Sequence, residues 1–535
     1  MKKLPARFLL AAALASAVPV SPWAQSPPGA PAIRLPALGD AAVEDFSVGT
    51  ERHLGDQIMA ELRRDPDYLD DPLLLDYVRS LWTPLLAAAH QRGNITEEID
   101  TALAWEPFLV RDRTVNAFAL PGGFVGVNLG LIAMTNSRDE LAAVLAHEMS
   151  HVTQRHIARG IASSSRQSLV GMAAMVLGVL AASRSHSADA TQAVLVGSQA
   201  AMAQGQLNFS RDMEREADRI GWGVYSDAGY APVGVAAMFE KLENASRLND
   251  SGNFPYLRSH PLTVERIGEA RARVEAAPGP SGAAQSPLDH LLMQARSRVL
   301  MDSSVPALRR LQAQDLASPA AGATPAERAA ALYASALASL QLHENTRAAA
   351  ATEALQPLAR NASAGDARAA FAVALLQAQV LQATGQTSRA LTLLDAIAAP
   401  PSPRPLLLAR AQAALDASRS GNMAALRAST EALQTWVAER RSDATAWALL
   451  AQCAEGLGLR LRALRADAEA HAALGDIGGA MERLRAAQRQ ARSDTSAPDF
   501  IEASIIDSRL RELNAQRRAQ IAEARGERGK QEPPQ

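Results

Sequence analysis

The sequence predicts a mainly α chain in two parts: helices around a small β-sheet, then an α-solenoid of short repeats. Up to about residue 275, helical periodicity is interrupted by one strand-like stretch. Beyond residue 287 the composition shifts to Ala, Leu, Arg and Gln, with helical periodicity and almost no strand signal. Within that second part Gly385, Gly421 and Gly458 recur 36 and 37 residues apart, each closing an apolar helix.

Taken in order, Met1-Lys-Lys-Leu-Pro-Ala-Arg7 is a basic start, followed by the apolar run Phe8 to Val20 and small residues to Ala24. Residues 1–24 read as a secretory signal peptide, too short to span a membrane comfortably. The proline-rich residues 25–44 read as a flexible leader. A first domain is expected over residues 45–275 and a linker over 276–287, where Pro and Gly cluster. The repeats occupy 288–523, and residues 524–535 are expected to be a disordered tail. Ala390, Ala425 and Ala463 follow the repeat glycines at similar offsets, and Gly475 with Ala480 and Ala487 fits a further unit. Aromatic residues make up only 4% of the chain, so the stack must rely on Ala and Leu packing. Ala463→Glu should therefore be disruptive, because it buries a charge at a helix crossing.

The chemistry gathers in two segments. Glu140 to His151 contains no Gly or Pro and is rich in helix formers. On a helix, His147 and His151 lie about 40° apart and one turn along the axis, so both rings can point at one ion. Glu148 sits about 100° round from His147, where it can take a proton from a metal-bound water without binding the metal. This His-Glu-x-x-His pattern is the signature of a zinc hydrolytic site. His156 falls about 180° round from His147 if the helix continues, and is expected to face away as a surface or packing residue.

Ser210 to Gly221 reads as a second helix with Ser210 as its N-cap. Glu214 and Asp218, four residues apart, share one face, and Glu216 points to nearly the opposite side. We assign Glu214 as the third ligand of one Zn2+ per chain, and Asp218 as the acid that orients an imidazole from behind. Three protein ligands leave a position open for catalysis. Alone, the segment would read as a solvated charged helix face. The upstream histidine pair decides against that.

Val115 to Leu131 is the most strand-like stretch, with Pro121-Gly-Gly123 as its turn. Two readings stand. It is an edge strand on which Phe118, Phe124, Val125 and Val127 hold a substrate backbone by strand addition, or it is an ordinary internal hairpin.

His147-Glu-Met-Ser-His151-Val-Thr-Gln-Arg-His156, Ser210-Arg-Asp-Met-Glu214-Arg-Glu-Ala-Asp218-Arg-Ile-Gly221, Val115-Asn-Ala-Phe-Ala-Leu-Pro-Gly-Gly123 and Ser259-His260-Pro-Leu-Thr-Val-Glu-Arg266-Ile carry a resemblance. They resemble the zinc peptidase family that includes the CAAX prenyl proteases and the HtpX-like membrane proteases. With repeats after a gluzincin-type peptidase domain, the chain is similar to the β-barrel assembly-enhancing proteases of the bacterial periplasm. The resemblance implies His147, His151 and Glu214 as ligands and Glu148 as base. It also implies that His260 approaches the metal as an extra, regulatory ligand. On chemistry alone, His260-Pro261 is ordinary turn punctuation. The implied partners are the outer-membrane β-barrel assembly machinery and unfolded or stalled outer-membrane proteins, degraded or helped to assemble. The alternative is a binding scaffold whose peptidase site is largely closed.

The chain carries 54 basic and 56 acidic residues, and no basic patch or aromatic platform suggests a nucleic-acid partner. The single cysteine, Cys453, cannot form an internal disulfide, which is consistent with a periplasmic address. Leu169 to Ala182 is an uncharged run shorter than the ~20 residues of a membrane span. It reads as a buried helix or lid, or as a peripheral membrane contact.

Overall fold

The computed structural model describes residues 46–163, 211–247, 256–277, 288–315, 323–362, 366–397, 403–493 and 499–531. The signal peptide, the leader, residues 169–182, Ser210 and residues 278–287 of the expected linker lie outside them.

The first half opens with α1 (Val48–Leu62), capped by the Ser47 hydroxyl, which accepts the Thr50 N–H. After β1 (Tyr68–Leu69) comes α2 (Pro72–Gln91), which combines an Asp71 cap with Pro at the first position, where no N–H is needed. Its Leu74, Tyr77, Val78, Leu81 and Leu85 are fully buried, each side chain contributing about 1.5–3 kcal/mol. Next come α3 (Glu97–Ala102), β2 (Glu106–Val110), β3 (Ala117–Leu120) and β4 (Phe124–Asn128). The chain then passes directly into α4 (Leu129–Met134), so the strand-like stretch ends three residues earlier than its composition suggests. Helices α5 (Arg138–Thr153), α6 (His156–Ser163), α7 (Arg211–Asp227), α8 (Val233–Arg247), α9 (Tyr256–Ser259) and α10 (Val264–Ala276) complete this half.

The sheet runs β1-β2-β4-β3, with β2 and β4 parallel and the other pairs antiparallel. This corrects the expected edge strand. Phe124, Val125 and Val127 belong to β4, a central strand whose N–H and C=O groups are shared between β2 and β3. All five β4 residues are buried. Of the four residues expected at the edge, Phe118 alone sits on an edge strand, β3.

The second half is helical throughout its described residues. Helices α11 (Leu288–Leu300), α12 (Val305–Gln312), α13 (Pro325–Gln341) and α14 (Asn345–Ala362) come first. They are followed by α15 (Ala367–Ala383), α16 (Thr387–Asp395), α17 (Arg404–Ser418) and α18 (Met423–Glu439). The chain continues through α19 (Ala444–Gly456), α20 (Arg460–Ala473), α21 (Ile477–Ser493) and α22 (Phe500–Gln531). From α13 to α22 each helix packs on the next, as stacked repeats require. Gly385, Gly421, Gly458 and Gly475 all have positive φ and close helices. Residues 524–531, expected as tail, continue α22: Ala, Glu, Arg, Lys and Gln favour a helix, and no Pro intervenes before 533.

The two halves share one core, which runs from Val48 to Ala417. α11 is buried almost all round, between α2 and α4 on one side and α13 on the other. Arg296 donates to both oxygens of Asp71 at 2.8 and 2.6 Å and to the Tyr333 hydroxyl at 3.1 Å. Arg404 holds Asp70 at 2.7 and 2.6 Å and Asp443 at 2.7 and 2.8 Å. The Tyr77 hydroxyl lies 2.6 Å from His290 Nδ1, while His290 Nε2 and Gln294 donate to the Thr135 carbonyl at 2.8 and 2.7 Å.

Candidate metal centre

α5 starts at a Ser137 cap, whose hydroxyl accepts the Glu140 N–H, and every residue from Val144 to Thr153 is buried. His147 Nε2 and His151 Nε2 lie 3.0 Å apart, one turn from each other as the spacing predicts. α7 crosses α5 closely because residue 221 is Gly. A Cβ there would come within 3.2 Å of the Ala146 carbonyl and the Ser150 hydroxyl. That crossing brings Glu214, 1% exposed, to 3.5 Å from both His147 Nε2 and His151 Nε2. His260 follows α9, its ring stacked on Tyr256 with centroids 4.6 Å apart. Its Nδ1 is 3.3 Å from His147 Nε2 and 3.0 Å from Glu214 Oε1. The histidine that reads as turn punctuation by chemistry therefore sits in the cluster.

The outer ring nitrogens set the inner ones. Asp218 Oδ1 lies 3.0 Å from His147 Nδ1, so that nitrogen carries the proton and Nε2 presents its lone pair to the cluster. Arg266 clamps Asp218 at 2.6 and 2.9 Å and reaches Glu214 Oε2 at 2.8 Å. Burial works against a charge on Asp218, but the bonds from Arg266 and His147 hold its carboxyl down to about 2. Arg266 thus pairs with the acids of the site.

His151 is set by a residue whose direction the helical extrapolation misjudged. α5 ends at Thr153, Arg155 takes φ +50, and α6 begins at His156. The break turns the His156 ring back, fully buried, with Nδ1 2.9 Å from His151 Nδ1 and Nε2 3.1 Å from Glu216 Oε2. Burial pushes His156 down to about 4, so it is neutral at physiological pH. Nε2–H donates to the Glu216 carboxylate, Nδ1 accepts from His151 Nδ1–H, and His151 Nε2 faces the cluster as a lone pair. Arg159 steadies Glu216 at 2.9 Å. Neither Gln154 nor Arg155 is a helix breaker, so no residue pattern signals the turn that recruits His156, Arg159 and Glu216.

Glu148 is fully buried, and burial raises its pKa above the ordinary carboxylate value. One oxygen accepts the Ala119 N–H of edge strand β3 at 3.1 Å. The other, Oε1, is buried without a hydrogen-bond partner, 3.5 Å from His260 Nε2. Such an oxygen is costly in a folded interior, and here it lies where a bound ion or substrate would satisfy it.

The donor set fits a metal ion. His147, His151, Glu214 and His260 each offer one atom, all within 4.8 Å of one another. Donors about 2.0–2.1 Å from a tetrahedral centre are separated by about 3.3 Å, and the spacings here run from 3.0 to 3.5 Å.

A helical domain with a small sheet and a buried His-His-Glu cluster beside the half-bonded Glu148 carboxylate defines a metallopeptidase. The profile of Peptidase family M48 matches residues 88–274. The beta-barrel assembly-enhancing protease of Escherichia coli K12 is 30% identical over 461 residues, 86% of this chain and 88% of that protein. A Vibrio cholerae relative is 35% identical over 281 residues, 52% of this chain and about half of its own length, 54%. The mitochondrial metalloendopeptidase OMA1 of Saccharomyces cerevisiae is 28% identical over 197 residues, covering 36% and 53% of the two chains. The chain belongs to peptidase family M48, in the group of the beta-barrel assembly-enhancing proteases.

Proposed function

We propose that this metallopeptidase is a zinc-dependent endopeptidase of the periplasm that acts on outer-membrane proteins during β-barrel assembly, degrading those that stall. The observation that carries the catalytic reading is Glu148 Oε1, buried without a hydrogen-bond partner beside the His147–His151–Glu214 cluster. Imidazole and carboxylate donors in this arrangement suit zinc. When bound, zinc would polarise the scissile carbonyl and acidify water. Glu148 takes the proton at Oε1 and delivers it to the leaving amine. Asp218 holds His147, His156 holds His151, and Arg266 keeps Asp218 and Glu214 charged and in place. Edge strand β3 supplies the backbone along which an extended client would lie.

The barrel-assembly role rests on the names of the relatives. Among the described residues no helix is long and apolar enough to cross a membrane. The test of catalysis is Glu148→Gln, which should lower turnover of an unfolded protein substrate by about 10²–10⁴-fold while bound zinc stays at one per chain. Undiminished turnover would remove Glu148 from the mechanism.

A second reading is favoured by His260, whose Nδ1 lies 3.0 Å from Glu214 and so occupies the cluster's fourth position. In it the site is closed at rest and the chain serves clients first as a scaffold. His260→Ala should then raise proteolysis with zinc retained. Loss of zinc would instead make His260 an obligatory ligand.

A further inference from the structure

The last helices of the repeat half carry an outer face that the packing of the fold does not explain. Of the eight large apolar residues exposed among the described ones, four stand at this end: Leu459, Phe500, Ile501 and Ile505. Phe500 and Ile501 are each 76% exposed. The outermost helix of a repeat stack ordinarily turns a polar face to solvent, so apolar side chains here need a reason.

The docking of α22 brings the four together. Glu502, on its first turn, is buried against Arg462 of α20 at 3.2 Å and Arg465 at 2.7 and 3.2 Å. That sets Phe500 and Ile501 beside the start of α20, where Leu459 is the cap residue. The other flank of α22 meets α21 through Gln488, which donates to Asp507 at 2.6 Å. Phe500 lies seven residues before Asp507 and so on the same flank. Arg492 lies four residues beyond Gln488 and shares its flank too.

Arg492 ends a basic stripe. Arg485, Arg489 and Arg492 fall within about 60° of one another on α21, and all are exposed. Arg511 and Arg518, eleven and eighteen residues after Phe500, return to its face of α22 and are exposed as well. Among the described residues none of these five pairs with a carboxylate, whereas Arg462, Arg465, Arg483 and Arg509 beside them all do. The acids of α22 nearest Phe500 are already engaged: Glu502 by two arginines, Asp507 by Gln488 and Glu512 by Arg509. Apolar prongs flanked by unpaired arginines complement a bilayer with anionic headgroups. The cations sit at phosphate level while the Phe and Ile side chains enter the acyl boundary. A second copy would set the same arginines against one another, which is unfavourable.

We propose that this end of the solenoid is a membrane-contact surface, in which Phe500 and Ile501 insert into an anionic phospholipid bilayer and the five arginines bind its headgroup phosphates. The contact is peripheral and reversible, since a handful of side chains is far from a spanning helix. It needs neither metal nor turnover and stands independently of the function proposed above.

The test is co-flotation of the full chain with vesicles of equal parts phosphatidylglycerol and phosphatidylethanolamine, with phosphatidylcholine vesicles as the neutral comparison. The parent chain should bind the anionic vesicles, bind the neutral ones about tenfold less or weaker still, and be released by high salt. Replacing Arg485, Arg489 and Arg492 together by Gln should weaken binding by about tenfold or more, and Phe500→Ser with Ile501→Ser should do the same. All of these positions are exposed, so melting temperatures should stay as they were. Every variant keeps the same residues 1–182, so apolar runs there cannot produce the differences. Cys453, the only cysteine, is buried, so Phe500→Cys can carry a polarity-sensitive dye whose emission should shift to the blue on anionic vesicles alone. No binding by the parent chain, undiminished binding of either variant, or a dye that stays in water would each overturn the proposal. A dye shift that appears without lipid and grows with protein concentration would overturn it in favour of a second copy.

Discussion

At the junction between the two halves, Asp71 gives both oxygens to the guanidinium of Arg296, and Asp70 gives both of its own to Arg404. In the metal centre Glu148 keeps one buried oxygen without a hydrogen-bond partner, and three imidazoles crowd one carboxylate. Both regions bury charge. The first satisfies it inside the protein; the second leaves part of it for an ion and a substrate. A closed network contributes to docking and an open one to chemistry, so damage to each should register in different measurements.

The largest separation should come from Glu214→Ala. It should weaken zinc binding by more than the ~10–100-fold typical of losing an outer hydrogen-bonding partner, and abolish proteolysis, with the fold retained by circular dichroism. If zinc affinity is unchanged, the third ligand lies elsewhere. Arg296→Met is the reciprocal lesion. It leaves Asp71 buried and unpaired and should cost roughly 3–5 kcal/mol of stability in urea titration, while zinc affinity of the folded fraction stays as it was. A loss below about 1 kcal/mol would mean that the junction relaxes around the charge.

Smaller in effect, His156→Ala should reduce zinc affinity by about 10–100-fold, because His151 loses the acceptor that fixes its tautomer. Glu216→Gln, which can still accept from His156, should lose less; the reverse order would break the relay as drawn. Acid should also tell the regions apart. Burial works to raise the pKa of Asp71, but Arg296 and the N–H groups of the α2 cap hold it below its ordinary value. Its contribution is therefore complete above about pH 4 and lost as pH falls through the depressed value. Urea midpoints of the wild-type chain should drop along that limb, and Arg296→Met should flatten it. The mildest lesion is Gly421→Ala. At φ +94, with nothing near the added methyl, it should cost only about 1 kcal/mol.

The ligand spacing was legible because it is a property of an isolated helix: His147 and His151 share a face wherever that helix is placed. Glu214 and Asp218 were legible for the same reason, and the repeat glycines because a left-handed residue closes each helix. What failed depends on neighbours. β4 reads like an edge strand because alternation does not say how many partners a strand has. His156 was misjudged because extrapolating 3.6 residues per turn presumes an unbroken helix, and Arg155 breaks it without Gly or Pro. The shared core was hidden behind a Pro- and Gly-rich stretch that looks like a divider. α11 beyond it is buried on nearly every side, which amphipathic periodicity cannot signal.

The Thr135 carbonyl, two residues before the cap of α5, has its partners at His290 and Gln294. The carbonyl at the entry to the catalytic helix is therefore satisfied only by α11, far along the chain from it. A chain truncated before α11 should leave that carbonyl without its partners and stay loosely formed, even though it retains every residue of the metal cluster.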